Sequence, residues 1–319
     1  MRLRNFLMRK PKHGYGSEVL KARRLCDLVV IFAVSEEEWL GVTDLLDSLT
    51  TYLDCNYEVV AVDDATTDGS YERLLHAGVW TVRNPEKLLL WGLDLTLRRG
   101  IYQALRLFDS PIFLKIDPDA LIIGPGLYES MRNKFAEDER IGLIGTYHID
   151  WNGELRDLSY WRDRMFRVKK ELGEPFRLAI RNGYEIGDGV QGGAYAISRS
   201  CLEEINNRGW LQNTKRYKPL MVRGRQVGED SLITMLTYAA GYRVAEFGGP
   251  GQPFGLWDVG LPMPPEELVA QGRLVTHAMK YSDPVSLEAR SFFRARREAE
   301  SQKKFISKKH PGVRNKYVD

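Results

Sequence analysis

Three apolar runs of strand length, each leading into acidic residues, set the kind of fold open to this chain. Leu28-Val29-Val30-Ile31-Phe32-Ala33-Val34 is followed by Ser35 and Glu36-Glu37-Glu38, Tyr57 to Val62 by Asp63-Asp64, and Ile112 to Ile116 by Asp117-Pro118-Asp119. Runs of this kind, short, apolar and rich in β-formers, read as strands buried on both faces. Between the first two, Trp39, Leu40, Val42, Leu45, Leu46 and Leu49 recur at helical spacing, after Ser35 and Glu38 in a capping-box pattern. A helix over Tyr71 to His76, a strand over Val79 to Val82 and a helical pattern over Leu88 to Phe108 continue the alternation. Such a rhythm predicts an α/β fold with a mostly parallel central sheet flanked by helices, in which ligands bind beyond the carboxyl ends of the strands.

Further along, helices are expected over Leu127 to Phe135, Leu155 to Leu172, Leu202 to Arg208 and Ser231 to Ala240. Strands are expected over Ile141 to Tyr147, Ala194 to Ser198 and Tyr242 to Phe247. The Pro- and Gly-rich stretch Gly248 to Pro265 reads as irregular. With 319 residues, 43% hydrophobic and 28% charged, the chain can bury a substantial core, and the folded unit is expected as a single domain.

A net charge of +3 excludes a polyanion binder that works by bulk electrostatics. The charge is uneven, however. Residues 1–25 form a basic N-terminal arm with Arg2, Arg4, Arg9, Lys10, Lys12, Lys21, Arg23 and Arg24, and residues 286–319 a basic C-terminal tail. Such arms are commonly solvated, yet an anionic membrane surface or a nucleic acid is a partner they suit. Cys26, Cys55 and Cys201 are odd in number and far apart, indicating neither a disulfide framework nor a zinc site. With no secretory signal pattern and no apolar run long enough to span a bilayer, a cytoplasmic enzyme is expected, either free or peripheral on the membrane surface.

Asp117 and Asp119 stand at the carboxyl end of the central strand, and Pro118 between them cannot continue a sheet. Two carboxylates there repel each other in a poorly solvated crevice unless a cation lies between them. Oxygen ligands with phosphate and water in the remaining positions suit Mg²⁺ or Mn²⁺. The same residues are ordinary in a turn after a strand.

Four pieces in order carry a resemblance over roughly Leu28 to Lys280. Val59 to Ser70 is similar to a Val-Asp-Asp-x-Ser-x-Asp-Gly stretch, and Leu114 to Ala120 to a D-x-D motif. Gly192-Gly193-Ala194-Tyr195-Ala196-Ile197-Ser198 is similar to the segment that floors a sugar and acceptor pocket. Gly228-Glu229-Asp230 before a helix is similar to an ED motif. Together they resemble the GT-A (Rossmann-like) glycosyltransferases of the inverting, nucleotide-sugar-dependent family 2 type, with residues 26–285 as that domain.

The resemblance implies a nucleotide-diphosphate sugar as donor and a glycan, lipid-linked or small-molecule acceptor. It puts Asp119 directly on the metal, with Asp117 assisting or holding the ribose, and His277 as a late member of the metal shell. Asp64, beside Asp63, would accept a hydrogen bond from the nucleotide base, against which the backbone of Ala33 would lie. Gly192 and Gly193 would floor the pocket. Inversion is one in-line displacement, so a carboxylate must take the acceptor proton. Asp230 is the expected base and Glu229 the expected positioner, although an acidic pair at a helix start is also a favourable cap. Arg98 or Arg99 is a candidate for the diphosphate. Trp151, Trp161, Tyr184, Trp210 and Trp257 are candidates for sugar stacking.

Two departures stand out. Ala33-Val34-Ser35-Glu36 replaces the family's Pro-x-Tyr-Asn, and the Gln-x-x-Arg-Trp motif of processive synthases is absent, which implies addition of one sugar or a few. Three other readings stay open: a glycosyltransferase with an anionic acceptor drawn by the arms, a GT-A nucleotidyltransferase, and a non-catalytic nucleic-acid or membrane module. Against the nucleotidyltransferase, the loop after the first strand is acidic where a triphosphate loop would be basic.

Overall fold

The computed structural model describes residues 22–88, 92–212 and 227–309. In chain order its first half comprises β1 (Arg24–Leu25), β2 (Leu28–Val34), α1 (Trp39–Tyr52), β3 (Tyr57–Asp63), α2 (Ser70–His76), β4 (Trp80–Arg83), α3 (Leu93–Leu107), β5 (Phe108–Asp109), β6 (Ile112–Ile116), β7 (Leu121–Ile122), α4 (Leu127–Ala136) and β8 (Ile141–Gly145). There follow α5 (Ser159–Arg181), β9 (Ala194–Ser198), α6 (Arg199–Asn207), α7 (Glu229–Ala239), β10 (Arg243–Glu246), β11 (Phe254–Leu256), α8 (Pro265–Ala270), β12 (Val275–His277) and α9 (Pro284–Lys309).

Seven strands form the central sheet in the order β10-β8-β9-β6-β2-β3-β4. It is parallel except at β9, which runs antiparallel to both β6 and β8. All seven residues of β2 are buried, and they divide between two cores by the two-residue strand period. Leu28, Val30, Phe32 and Val34 join Val42, Leu45 and Leu49 of α1 and Met131 of α4. Val29 and Ile31 join Ile101, Ala104 and Leu105 of α3, together with Leu232 and Leu236 of α7. Helices on both faces explain why the strands lack polar alternation.

A second sheet of three strands, β11-β12-β7, bears directly on function. β7 follows the Asp117-Pro118-Asp119 turn and pairs antiparallel with β12, Leu121 opposite Thr276 and Ile122 opposite Val275. That pairing carries the next residue, His277, to the turn. Here the expectation of an irregular Gly248 to Pro265 is corrected, because β11 lies within it and pairs parallel with β12. The organiser is Arg273, buried at 2% exposure. Its guanidinium donates to the carbonyls of Gly248, Gly249, Gln252 and Phe254 at 2.7–3.2 Å and to that of Trp151 at 2.7 Å. A buried loop carries carbonyls that water cannot reach, and the two terminal nitrogens of one guanidinium lie within hydrogen-bonding distance of five of them.

Other boundaries shift for local reasons. The charged helix expected over 155–172 runs over 159–181, broken at Gly173 (φ 61°, ψ −125°) with Pro175 just beyond. α1 begins at Trp39, after the Ser35 to Glu38 pattern; the Glu38 carboxylate accepts from the Ser35 backbone N–H at 2.6 Å, while the Ser35 hydroxyl makes no cap.

The segment expected as a basic tail from residue 286 begins as a docked helix. Arg290 and Arg297 of α9 are buried and reach Asp44 of α1 at 3.0 and 2.9 Å, joined by the Tyr281 hydroxyl at 2.6 Å and the more exposed Arg294 at 3.1 Å. Residues 1–21 and 310–319 of the two basic arms lie outside the described residues. Among the described residues, no helix is long and apolar enough to cross a membrane.

Candidate active site

The carboxyl end of β6 and the end of β12 meet as the pairing of β7 requires. One ligand atom each from Asp117, Asp119 and His277 lies within 4.8 Å of the others. His277 Nε2 is 3.3 Å from Asp119 Oδ1, and Nδ1 donates to the Trp257 carbonyl at 2.9 Å. That second bond fixes which ring nitrogen faces the carboxylates, as for metal-binding histidines generally. Burial would lower the imidazole pKa, but the Asp119 and Asp117 carboxylates outweigh it and raise it. Burial, offset only in part by Lys115 and reinforced by Asp119 and Glu229, pushes the Asp117 carboxyl up to about 6. Two carboxylates and an oriented imidazole converging on one point, with one of them hard to ionise alone, fit a divalent cation of the Mn²⁺ or Mg²⁺ type.

Gly193 makes this arrangement possible. A Cβ there would stand 2.4 Å from His277 Cγ, inside any tolerable contact, while the Gly193 carbonyl accepts from Asp117 N at 2.9 Å. Gly193→Ala is therefore expected to displace the imidazole and weaken Mn²⁺ binding at least tenfold, as loss of a metal's supporting partner commonly does; titration calorimetry with Mn²⁺ in the presence of a nucleotide checks it.

On the other side of the same strand end stand Glu229 and Asp230, in the first turn of α7. A Cβ on Gly192 would meet Glu229 Oε1 at 3.1 Å and Asp230 Oδ2 at 3.4 Å, so the Gly192-Gly193 backbone lies between the acidic pair and the histidine. Burial first, and then the neighbouring Glu229, push the Asp230 carboxyl up to about 7 against the pull of the Ser231 N–H, Arg156 and Lys115. A carboxylate of that basicity is matched to taking a proton near neutral pH.

Sequence reasoning passed over Lys115. It sits in the middle of β6 at 1% exposure, and its ammonium contacts Asp117 Oδ1 at 2.7 Å, Glu229 Oε1 at 3.2 Å and the Gly192 carbonyl. The available signal was a lysine inside an otherwise apolar run. Glu38, assigned only a capping part, lies near Asp117 and Asp119; burial foremost, with those two charges, pushes its carboxyl up to about 7.

The nucleotide-side residues are placed at the ends of β2 and β3. Ala33 is buried opposite Val62. Asp63 accepts from the Thr66 hydroxyl at 2.5 Å and faces Arg83 at 3.4 Å. Asp64 accepts from Asn84 Nδ2 at 2.8 Å and from Leu88 N at 2.9 Å, thereby holding the 84–88 loop. Arg98 is corrected as a diphosphate candidate: it is buried and paired with Asp94 at 2.8 Å. Arg99 donates to Asn84 at 2.6 Å. Tyr184 and Trp210 are core residues at 3% and 1% exposure, which removes them as sugar platforms. Trp257 is 39% exposed and meets Trp151 edge-on, with centroids 6.3 Å apart. Trp161 lies against the Gly228 turn, its Cη2 3.5 Å from where a Cβ would be.

No family model matches the chain, and no curated protein matches it. Solved structures do. A mannosyltransferase from Pyrobaculum calidifontis, in complex with GDP-Man and Mn²⁺, aligns at 18% identity and TM-score 0.41 over 77% of this chain and 60% of its own. Residues 1–349 of TarS from S. aureus, in complex with UDP-GlcNAc, align at 16% and 0.40 over 69% and 55%. Glucosyl-3-phosphoglycerate synthase from Mycobacterium tuberculosis, in complex with phosphoglyceric acid, aligns at 16% and 0.41 over 77% and 76%. The chain thus spans a little over half the length of the first two. At such identities and scores, what the site does has to be argued from its own residues.

Proposed function

We propose that this chain is a metal-dependent glycosyltransferase that moves a sugar from a nucleotide-diphosphate donor to an acceptor hydroxyl, with inversion at the anomeric carbon. One observation carries the reading: a carboxylate–carboxylate–imidazole cluster fitted to a divalent cation shares one strand end with a buried acid poised near neutral pH. A cation opposite the leaving diphosphate and a base opposite the acceptor hydroxyl are the two parts an inverting, metal-dependent sugar transfer uses.

Asp117, Asp119 and His277 would hold the cation, which when bound supplies charge neutralisation to a diphosphate leaving group. Asp230 takes the proton of the acceptor hydroxyl as that oxygen attacks the anomeric carbon in line with the departing diphosphate. Glu229, held by Lys115, positions the acceptor side. Asp64, Asp63 and the backbone of Ala33 form the nucleotide end, and the Gly192-Gly193 backbone the floor between. Trp151, Trp161 and Trp257, the aromatic candidates that are not buried in the core, suit the apolar face of a glycan or lipid-linked sugar acceptor.

A thermal-shift series against UDP, GDP, CDP and TDP, each with Mn²⁺ and with EDTA, tests the donor half. Ligand at a hundred times its Kd stabilises by about 2.7 kcal/mol. One nucleotide is expected to raise Tm with Mn²⁺ and not with EDTA, and Asp119→Ala to lose the metal-dependent part at unchanged basal Tm. A response to none of the four, or a full Mn²⁺-dependent response in the Asp119 variant, would overturn the assignment.

A further inference from the structure

We infer that Lys115 is a positioning residue that sets the strength of the divalent-cation site, by tying up one oxygen of Asp117 and coupling it to Glu229 across the Gly192 backbone. The inference rests on the proposed function only in placing a cation at Asp117, Asp119 and His277.

Lysine is among the residues least often buried without a partner, and in the middle of a strand with both faces covered it has no route to water. Lys115 is 1% exposed, and every contact of its ammonium belongs to the site: Asp117 Oδ1 at 2.7 Å, Glu229 Oε1 at 3.2 Å, the Gly192 carbonyl, and the Tyr195 ring at 5.4 Å from its centroid. Two carboxylates and a carbonyl thus surround the one ammonium. Three consequences follow from that placement.

With Oδ1 shared with Lys115, Asp117 is the weaker carboxylate ligand for a cation, which gives Asp119 and His277 the larger share. A fixed positive charge a few ångströms from a cation site also weakens that site, so affinity here is held below what two carboxylates and an imidazole would give. Finally, Glu229 and Asp117 share one ammonium, so the acceptor-side acid and the donor-side acid are placed by the same atom.

The test is a pair of charge changes of opposite sign, read as Mn²⁺ half-saturation by calorimetry or by Mn²⁺ electron paramagnetic resonance on the full chain, with no turnover needed. Lys115→Met, of similar length and uncharged, is expected to tighten Mn²⁺ about tenfold, to enlarge the Mn²⁺-induced rise in Tm, and to raise the acceptor KM as Glu229 loses its anchor. Glu229→Gln, which leaves Lys115 with one carboxylate in place of two, is expected to weaken Mn²⁺ severalfold. A purely structural lysine would give weaker binding in step with lower Tm in the first variant, and that result overturns the inference. If Lys115→Met does not fold, Lys115→Gln takes its place as the uncharged variant, with the same expected and overturning results. Failure of the unsubstituted protein to bind Mn²⁺ sinks the metal site itself, and is thereby distinguished from binding that ignores both substitutions.

Discussion

Asp230→Asn is expected to lower the rate of sugar transfer roughly a thousandfold, within the range of about 10²–10⁴ that a positioned general base contributes, while leaving nucleotide and Mn²⁺ binding within about twofold. The amide keeps the shape of the side chain and can still accept the Ser231 N–H that Oδ1 receives at 2.6 Å. It cannot take a proton. The measurement is single-turnover transfer alongside the donor thermal shift. Equal loss of both would point to a distorted site, and unchanged transfer would move the base elsewhere. The pH profile adds an independent reading. Burial and Glu229 push the Asp230 carboxyl up to about 7, so the base is protonated and idle below that value. Transfer should therefore climb tenfold per unit on the acid side and level off above pH 7. Glu229→Gln, by removing the nearest like charge, should shift that limb to lower pH.

The largest stability effect is expected far from the chemistry. Asp44→Ala should cost about 3–5 kcal/mol, the usual result of stripping a partner from buried ions, and lower Tm by roughly 10 °C. It leaves Arg290 and Arg297, each about 98% removed from solvent, with far less compensation; Arg297 keeps Asp47 at 2.6 Å, and Arg290 keeps the Met279 carbonyl at 2.9 Å. Burial would raise the Asp44 carboxyl, yet the Tyr281 hydroxyl and the guanidiniums of Arg297, Arg290 and Arg294 outweigh it and hold it below the ordinary range. A carboxyl depressed in the folded state stabilises fully above about pH 4 and loses that contribution as pH falls through its folded value. The deficit of the variant should thus be complete at neutral pH and shrink in acid. Circular-dichroism melts at pH 7.5 and pH 3.5 check both parts, and a deficit that does not change with pH would assign the loss to packing.

What could be seen in the sequence follows from how local each signal was. β2, β3 and β6 were legible because short apolar runs rich in β-formers, bounded by acids and turn residues and alternating with helical patterns, read as buried strands. The acids at their ends were legible because the topology of a parallel sheet dictates where strands end. Asp117, Asp119 and His277 were named together on resemblance, and what brings them into contact is the short β7–β12 ladder, too brief to show in composition. β9 gave no hint of its direction, since a strand buried on both faces looks the same whichever way it runs. Lys115 was invisible to a search for acids and aromatics. The docking of α9 was hidden for a physical reason: arginines on a charged helix look solvated, and only a carboxylate some 250 residues away reveals otherwise.

That separation has a consequence for how the protein is made. Asp44 lies in α1, and the cations that neutralise it arrive with Arg290 and Arg297, 246 and 253 positions later. Until α9 has been made, Asp44 of α1 lacks the two buried guanidiniums that face it in the folded chain. Contacts this distant in sequence are paid for in loop-closure entropy before they give anything back. The same helix presses its opening turn on the metal loop, where a Cβ on Gly41 would come within 2.8 Å of the Pro118 carbonyl. A form cut before residue 290 would keep Asp117, Asp119, Glu229 and Asp230 but lack the cations that α9 brings to Asp44, and with them the support behind the helix that touches Pro118.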